Sequence, residues 1–407
     1  MQKPPKVVPR PPDFKSRLLS VGVTGTNGKT STVSWVAAAL SAHKKPVART
    51  STVGTFLDAE LLDVPKSYDG FIEAMRRGES LGGSYAVVEL TSEALFHGFG
   101  KAWPCEVGVF TNLTHDHLDA HGTPEHYLGS KAQLFLNIPF GGTAIMNACD
   151  PSAELIEEII PKGVRILRFG VPSRGTPYGE VHALATKVET NFDGTRIELA
   201  TKGLPVRGGF ELKSKAVGQV FAENVIAAWL AAMAAGVPAE LAAEAIAAAE
   251  APKGRFEVVG RAPWVVVDYA HTPDALARTV TQARTLCKEG RLLVLFGAGG
   301  NRDKNKRGPM GLAASPADEI ILTSDNPRDE DARDIAESIK GGITGAAKVV
   351  IELDRGTAIR NAIATLGADD VLIIAGRGHE TEQIIGKDTR RFSDVETAKE
   401  ALGNRRS

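Results

Sequence analysis

Two kinds of hydrophobic patterning alternate along the chain. Short continuous apolar runs end in polar or glycine-rich clusters, and most of these clusters lead into stretches of helical spacing. "LLSVGVTG" reads as a strand; after a glycine turn, the apolar spacing and strong helix formers of "KTSTVSWVAAALSAH" predict a helix. "YAVVEL" and "EVGVFTNL" read as further strands with polar ends, "IMNACD" repeats the pattern, and an Ala-rich helical region fills roughly residues 222 to 250.

From about residue 255 the pattern renews itself in "WVVVDYAHTPDALARTVTQA", "RLLVLFGAGGNRDKNKRGPMGLAA", "EIILTSDNPRDEDARDIAESI", "KVVIELDRGTAIRNAIATL" and "VLIIAGRGHE". Each opens as the unbroken apolar run expected of a parallel strand covered on both faces. A second α/β domain follows from this renewal. Ligands of open parallel sheets gather at the carboxyl ends of strands, where "DYAH", "GAGGNRDKNKR", "SDNPR" and "GRGHE" all lie. The expected fold class is α/β: a P-loop ATPase-like central domain at 20–253 and a C-terminal Rossmann-like α/β domain at 254–407, after a proline-rich, flexible or extended tail at 1–19. A length of 407 residues suits two domains.

Composition narrows the function classes. A formal net charge of -1 argues against a general nucleic-acid or membrane-surface binder. Cys105, Cys149 and Cys287 are widely spaced and lack metal-ligand patterns, as expected of idle thiols in a reducing compartment. The start of the chain has no apolar core of the secretory type, and "VIAAWLAAMAAGV" from Val225 falls short of the about 20 residues that span a bilayer. The expected location is cytoplasmic.

The stretch "VGVTGTNGKTSTV" carries the first candidate chemistry. A generic phosphate loop, G-x-x-x-x-G-K-[ST], needs a glycine five residues before Gly28, where this chain has Val23. Its place between strand and helix still aims backbone N–H groups and a helix N-terminus at phosphate oxygens. Lys29 then suits phosphate contact and Thr30 a Mg²⁺ ion. Glu89, closing "YAVVEL", stands either where it meets that metal or as a solvated strand end. "TNLTHDHLDAHGTPEHYLGSKAQLF" holds four histidines followed by Lys131 on an apparent helix. Zinc is disfavoured there, because cysteine partners are absent and two or three histidines would have to converge.

These segments together resemble the Mur ligases, and within them the MurE type, which use ATP to join an amino acid to a peptidoglycan precursor. The likeness runs from about residue 20 to the C-terminus through T-G-T-N-G-K-T, T-N-L-x-x-D-H-L-D-x-H-G, D-Y-A-H-T-P-D-A-L, G-G-N-R-D-K-N-K-R, D-N-P-R and G-R-G-H-E. The irregular loop is that family's own form. The resemblance implies that Gly25, Thr26, Asn27, Gly28 and Lys29 wrap the ATP phosphates, and that Thr30 and Glu89 hold one Mg²⁺. His117 helps hold a second Mg²⁺, and Lys131 is the lysine that becomes carbamylated. Asn224 meets adenine, Arg255 the γ-phosphate and Asp268 the ribose, with the second domain closing over the nucleotide. Asp325, Asn326, Arg328, Gly376 and Glu380 surround the incoming amino acid. The form "DNPR" accompanies meso-diaminopimelate, whose extra carboxylate Arg328 can pair bidentately. Arg302 and Arg307 offer further carboxylate or phosphate contacts. In the implied reaction an acceptor carboxylate attacks the γ-phosphate, and the amine displaces phosphate from the resulting acyl phosphate.

Departures from the family concern the acceptor. Only about 20 residues precede the loop, where a MurE ligase carries a domain gripping the uridine nucleotide; a partner chain that supplies it is unknown. "ELTSE" puts Glu93 in place of a histidine, Phe99 aligns with an arginine, and "PKSYDG" occupies the place of a T-T-rich substrate loop. Phe221 stands where an asparagine is usual. The expectation is an ATP-dependent amide ligase whose acceptor is a carboxylate-ended peptide not held through its uridine diphosphate. The competing readings are an ordinary MurE ligase of the uridine nucleotide-linked dipeptide and a catalytically inactive Mur-like binding or regulatory protein.

Overall fold

The computed structural model describes residues 8–114, 123–206 and 208–405. It divides into two compact units: the chain through Lys215 with Gln219–Glu250, and Ala216–Gly218 with the chain from Ala251 onward.

The first unit is built on one sheet made of β1 (Leu19–Thr24), β2 (Val47–Ser51), β3 (Gly54–Leu57), β4 (Glu60–Leu61), β5 (Tyr85–Glu89), β6 (Val107–Phe110), β7 (Thr143–Asn147), β8 (Arg165–Gly170), β9 (Ala183–Asn191), β10 (Gly194–Thr201) and β11 (Gly209–Ser214). Their order across the sheet is β11-β10-β9-β8-β7-β6-β1-β5-β2-β3-β4. The pairs from β2 through β5, β1, β6 and β7 to β8 are parallel, and Val21, Val23, Val87 and Val109 within them are fully buried. Because β1 lies between β5 and β6, the loop leaving it opens between the carboxyl ends of both neighbours, a ligand-receiving position in an open sheet.

The Ala-rich region is two helices, Gln219–Ala234 and Ala239–Ala248, instead of one. Gly236 takes a left-handed φ of 93° and Pro238 caps the second helix, so the chain turns where a continuous helix would need ordinary residues. The described end of the proline-rich segment also departs from an extended tail. Asp13–Arg17 form a 3₁₀ turn that buries Phe14 and Lys15, with the Lys15 ammonium 2.8 Å from Glu106. All three cysteines are free, and burial pushes the Cys105 thiol up to about 12.

The second unit carries β12 (Glu257–Gly260), β13 (Trp264–Asp268), β14 (Leu292–Phe296), β15 (Glu319–Leu322), β16 (Lys348–Ile351) and β17 (Val371–Ala375), ordered β12-β13-β17-β14-β15-β16. All neighbours are parallel except β12 with β13. A separate antiparallel hairpin follows, β18 (Glu382–Ile385) with β19 (Asp388–Arg391). Under the carboxyl edge lies a fully buried ion pair. The Arg355 guanidinium makes a two-pronged pair with Asp394 at 2.7 and 2.8 Å and donates to the carbonyls of Ala375 and Ser324, tying the ends of β17 and β15. Removing one partner alone would leave a buried charge and cost about 3–5 kcal/mol. Among the described residues no helix is long and apolar enough to cross a membrane.

Candidate active site

The loop after β1 is held by its glycines and by the segment after β6. Gly25 and Gly28 have φ of 143° and 86°, and a Cβ on either would lie 1.9 Å from Thr111 Oγ1 or 2.1 Å from Asn224 Oδ1. Both the left-handed backbone and the close approach require glycine. Thr111 Oγ1 donates to the Asn27 carbonyl at 2.7 Å, and Asn112 Oδ1 accepts from the Asn27 N–H at 3.0 Å. Thr26 N–H donates to the Asn112 carbonyl at 2.7 Å, and Thr26 Oγ1 accepts from Thr114 N–H at 3.0 Å. The segment after β6 is braced in turn by Asn147, which donates to the Thr111 carbonyl, and by Asp150, which accepts from Leu113 N–H at 2.6 Å.

Four expected residues meet at this loop. Lys29 Nζ donates to the Gly25 and Thr26 carbonyls at 3.0 and 2.7 Å, so its charge sits at the centre of the turn. Thr30 Oγ1 donates to Glu89 Oε2 at 2.9 Å, and Thr52 N–H reaches the same oxygen at 3.1 Å. A hydroxyl and a carboxylate side by side are hard oxygen donors of the kind Mg²⁺ takes alongside phosphate and water. Lys131 is 1% exposed, lies over the Tyr127 ring and donates to the Gly25 carbonyl at 2.7 Å. An ammonium there has no lone pair for a cation. His117 lies outside the described residues, among which no group of three His, Cys, Asp or Glu side chains could hold a metal ion.

In the second unit the polar loops after β15 and β17 meet. Asn326 Oδ1 accepts from Arg377 and from Ile384 N–H at 3.0 and 2.8 Å, which forces its NH₂ toward Glu380 Oε2 at 3.2 Å. Gly376, at φ 110°, has no room for a Cβ, which would lie 2.9 Å from Asp325 Oδ2. Burial and then the Asp325 charge push the Glu380 carboxyl above its ordinary value, while Arg377 opposes them. Asp325, Asn326, Gly376 and Glu380 therefore form one acidic corner suited to an ammonium group. Arg328 follows at a left-handed φ of 53°, with its guanidinium on the Gly300 carbonyl at 2.7 Å.

Other expected residues fall differently. Arg255 stacks over Tyr269, with its guanidinium 4.4 Å from the ring centre, and His379 packs near the same ring at 5.3 Å. Burial, then Arg255, holds the His379 imidazole below its usual range, and its Nδ1 is buried with no hydrogen-bond partner among the described residues. Asp268 is already occupied by its own surroundings. Its oxygens accept from Phe256 N–H, Ala270 N–H and Thr279 Oγ1 at 2.6, 3.0 and 2.9 Å. Arg302 is exposed. Arg307, expected to meet a ligand's carboxylate or phosphate, is instead turned inward, 4% exposed, and grips both oxygens of Glu330 at 3.0 and 2.9 Å. The Asn301 N–H, Arg307 and Lys304 hold the Glu330 carboxyl down to about 2.

The departures also have places. Phe99 joins Tyr68 and Phe71 in an aromatic cluster, with ring centres 6.0 and 5.1 Å away. Phe221 is buried edge-on against Trp35, and Glu93 is exposed on a short helix capped by Thr91. Sequence reasoning missed the hairpin β18–β19 and the bracing role of Asn147; the two-residue Gly386–Lys387 turn between "EQII" and "DTRR" was the available signal for the first.

Residues 23–232 match the Mur ligase middle domain, and residues 254–378 match the Mur ligase, glutamate ligase domain. Over 397 residues the chain is 37% identical to the UDP-N-acetylmuramoyl-L-alanyl-D-glutamate--2,6-diaminopimelate ligase of Synechococcus elongatus, covering 95% of this chain and 77% of that protein. It is 35% identical over 403 residues to the protein of the same name from Bacillus velezensis, covering 95% and 78%. A solved structure of a ligase of that name aligns with a TM-score of 0.72 at 30% identity, covering 96% of this chain and 79% of the other.

Proposed function

The chain belongs to the Mur ligase family, as an ATP-dependent acid–amino acid ligase of the MurE type, and from that premise we propose that it joins meso-diaminopimelate to a carboxylate-ended peptide acceptor. The observation that carries the donor assignment is the acidic corner of Asp325 and Glu380, oriented through Asn326, beside Arg328. An ammonium suits the corner, and a carboxylate suits the guanidinium. Lysine would offer the first group at its side chain but not the second.

ATP is the second substrate, bound in the first unit. The N–H groups of the Gly25–Lys29 loop and the Lys29 ammonium receive its phosphates, and Asn224 lies against Gly28 where the base would be met. In the second unit Asp268 sets the Arg255–Phe256 turn, which leaves it only its remaining lone pairs for a ligand. Thr30 and Glu89 would hold one Mg²⁺, and His117 with carbamylated Lys131 a second; when bound, the ions offset charge on the phosphate oxygens. An acceptor carboxylate oxygen attacks the γ-phosphorus and ADP leaves. The donor amine then attacks the acyl carbon, loses its proton and expels phosphate. Lys29 neutralises charge that grows between oxyanions, while Glu380 and Arg328 hold the amino acid for attack.

The acceptor reading is that this chain engages the peptide carboxylate rather than uridine diphosphate. It rests on Phe99, whose ring packs on Phe71 where the family's arginine would bring a cation, and on "PKSYDG", which here starts a helix capped by Ser67. The chain spans about four-fifths of the length of the relatives it matches.

A phosphate-release screen crossing acceptors with diaminopimelate and lysine, with products weighed by mass spectrometry, tests the whole reading. Arg328→Ala should lower diaminopimelate use by roughly one to two decades, the effect of a lost charge-assisted bond of about 1.5–3 kcal/mol, while ATP binding stays. Unchanged discrimination between diaminopimelate and lysine would sink the donor assignment. For matched acceptors with and without uridine diphosphate, a preference of about a hundredfold for the nucleotide form, or about 2.7 kcal/mol, would overturn the acceptor reading. Absence of any ligated product would favour an inactive binding protein.

A further inference from the structure

The strand of the β18–β19 hairpin that follows the "GRGHE" loop is docked bond for bond along Asp325–Arg328. Gln383 Nε2 donates to the Asp325 carbonyl at 2.7 Å, and Ile384 N–H donates to Asn326 Oδ1 at 2.8 Å. Arg328 N–H donates to the Ile384 carbonyl at 3.3 Å, and Gly386 N–H donates to the Arg328 carbonyl at 2.7 Å. Arg328 and Ile385 thereby form a parallel bridge outside either main ladder.

This docking explains how an arginine keeps a left-handed backbone. A φ of 53° is uncommon for a residue with a Cβ and persists where surrounding structure over-determines it. Both backbone polar groups of Arg328 are claimed by β18 and the residue just after it, so the peptide on either side of its Cα has a fixed orientation. The side chain leaves that Cα in one direction, toward the Gly300 carbonyl. Gln383 is 5% exposed, and its amide donates to the first residue of the donor loop instead of to the hairpin that carries it.

We infer that β18, through Gln383, is the device that sets amino-acid selectivity: it holds Asp325–Arg328 in the one conformation in which Arg328 meets a donor carboxylate. Gln383 is a positioning residue, acting through Arg328 without touching substrate. The inference rests on the donor reading above. It goes beyond it by placing selectivity in a hairpin that lies outside the motif residues themselves.

A double-mutant cycle separates the two claims. Gln383→Met keeps length and removes the donor, leaving the Asp325 carbonyl unsatisfied; KM for diaminopimelate should rise about tenfold, with the Kd for ATP unchanged. In an Arg328→Ala background the same change should add less than about twofold, because the group it positions is gone. An equal effect in both backgrounds, a parallel loss of ATP affinity, or a silent Gln383→Met beside an effective Arg328→Ala overturns the inference and spares the donor reading. A silent Arg328→Ala overturns both. Should Gln383→Met fail to fold, Gly386→Ala reads the same cycle. Its Cβ would meet nothing within 4 Å, so its effect comes through the φ of 58° that aims its N–H at Arg328.

Discussion

Gly28→Ala tests the phosphate loop through two separable strains. The first is backbone: a non-glycine residue at φ 86° costs about 1–2 kcal/mol. The second is steric. The new Cβ would lie 2.1 Å from Asn224 Oδ1 and 2.8 Å from its Cγ, and Asn224 is 3% exposed on a helix whose next residues are fully buried. That side chain can yield only by leaving its rotamer, for about 0.5–1.5 kcal/mol. The loop escapes both strains by abandoning the conformation that cradles phosphate, and ATP must then restore it. Affinity should therefore fall roughly tenfold to three-hundredfold, for a total of about 1.5–3.5 kcal/mol. Titration calorimetry with a non-hydrolysable ATP analogue and Mg²⁺ reads the loss, and thermal unfolding reads any part that remains as strain. In an Asn224→Ala background the steric share disappears, so Gly28→Ala should cost only the backbone share. ATP affinity within twofold of wild type together with an unchanged melt would refute the reasoning; an undiminished cost in the Asn224→Ala background would refute its steric half.

Lys131→Ala should nearly abolish ligation while short carboxylates partly restore it, if the proposed carbamate on this lysine serves to present anionic oxygens; full activity without lysine would remove carbamylation from the mechanism. Glu380 supplies a pH dependence. Burial and Asp325 raise its folded value, so its contribution to the stability of the empty protein is complete below the ordinary carboxylate value and is lost as pH rises through the raised one. A bound ammonium favours the ionised form, so diaminopimelate should bind more weakly as pH falls through that raised value and release a proton on binding. Calorimetry in two buffers of different ionisation enthalpy measures the proton; its absence in wild type, or its persistence in Glu380→Gln, would rule the contact out.

The parallel core was legible because a strand covered on both faces has no polar alternation to obscure it. "WVVVD" and "LLVLF" are each pinned between neighbours. The antiparallel extension β9–β11 was not read, since its exposed face is a charge ladder in which Arg196 pairs with Glu189 and Glu211, and such residues read as loop when taken singly. In the site, Lys29, Thr30, Glu89 and Lys131 could be singled out because each stands in or beside a loop or strand end that the apolar runs already mark, and the fold brings all four to the loop after β1. Arg307 was misplaced for the opposite reason: whether an arginine faces a ligand or Glu330 is decided by how a later loop folds back. Asn147 escaped notice because its partners, the Thr111 carbonyl, Glu223 and the Cys149 N–H, are set by the fold and leave no motif in the sequence.

Phe99 is where sequence and structure bear differently on one question. As a substitution it marks the loss of a cation. In the fold it is one of three packed rings with Tyr68 and Phe71, and Tyr68 belongs to the altered "PKSYDG" segment and reaches the Ala102 carbonyl at 3.3 Å. The two departures are therefore one, since each ring gives the other its apolar surroundings. Phe71 in turn meets Trp103, which is fully buried and bonded to Ser20 in β1. An arginine returned at position 99 alone would place its charge against this cluster and pay for desolvation before meeting any phosphate. A single reversion is therefore expected not to rebuild a pyrophosphate contact, and under the acceptor reading proposed above a test of acceptor preference has to change Tyr68, Phe71 and Phe99 together.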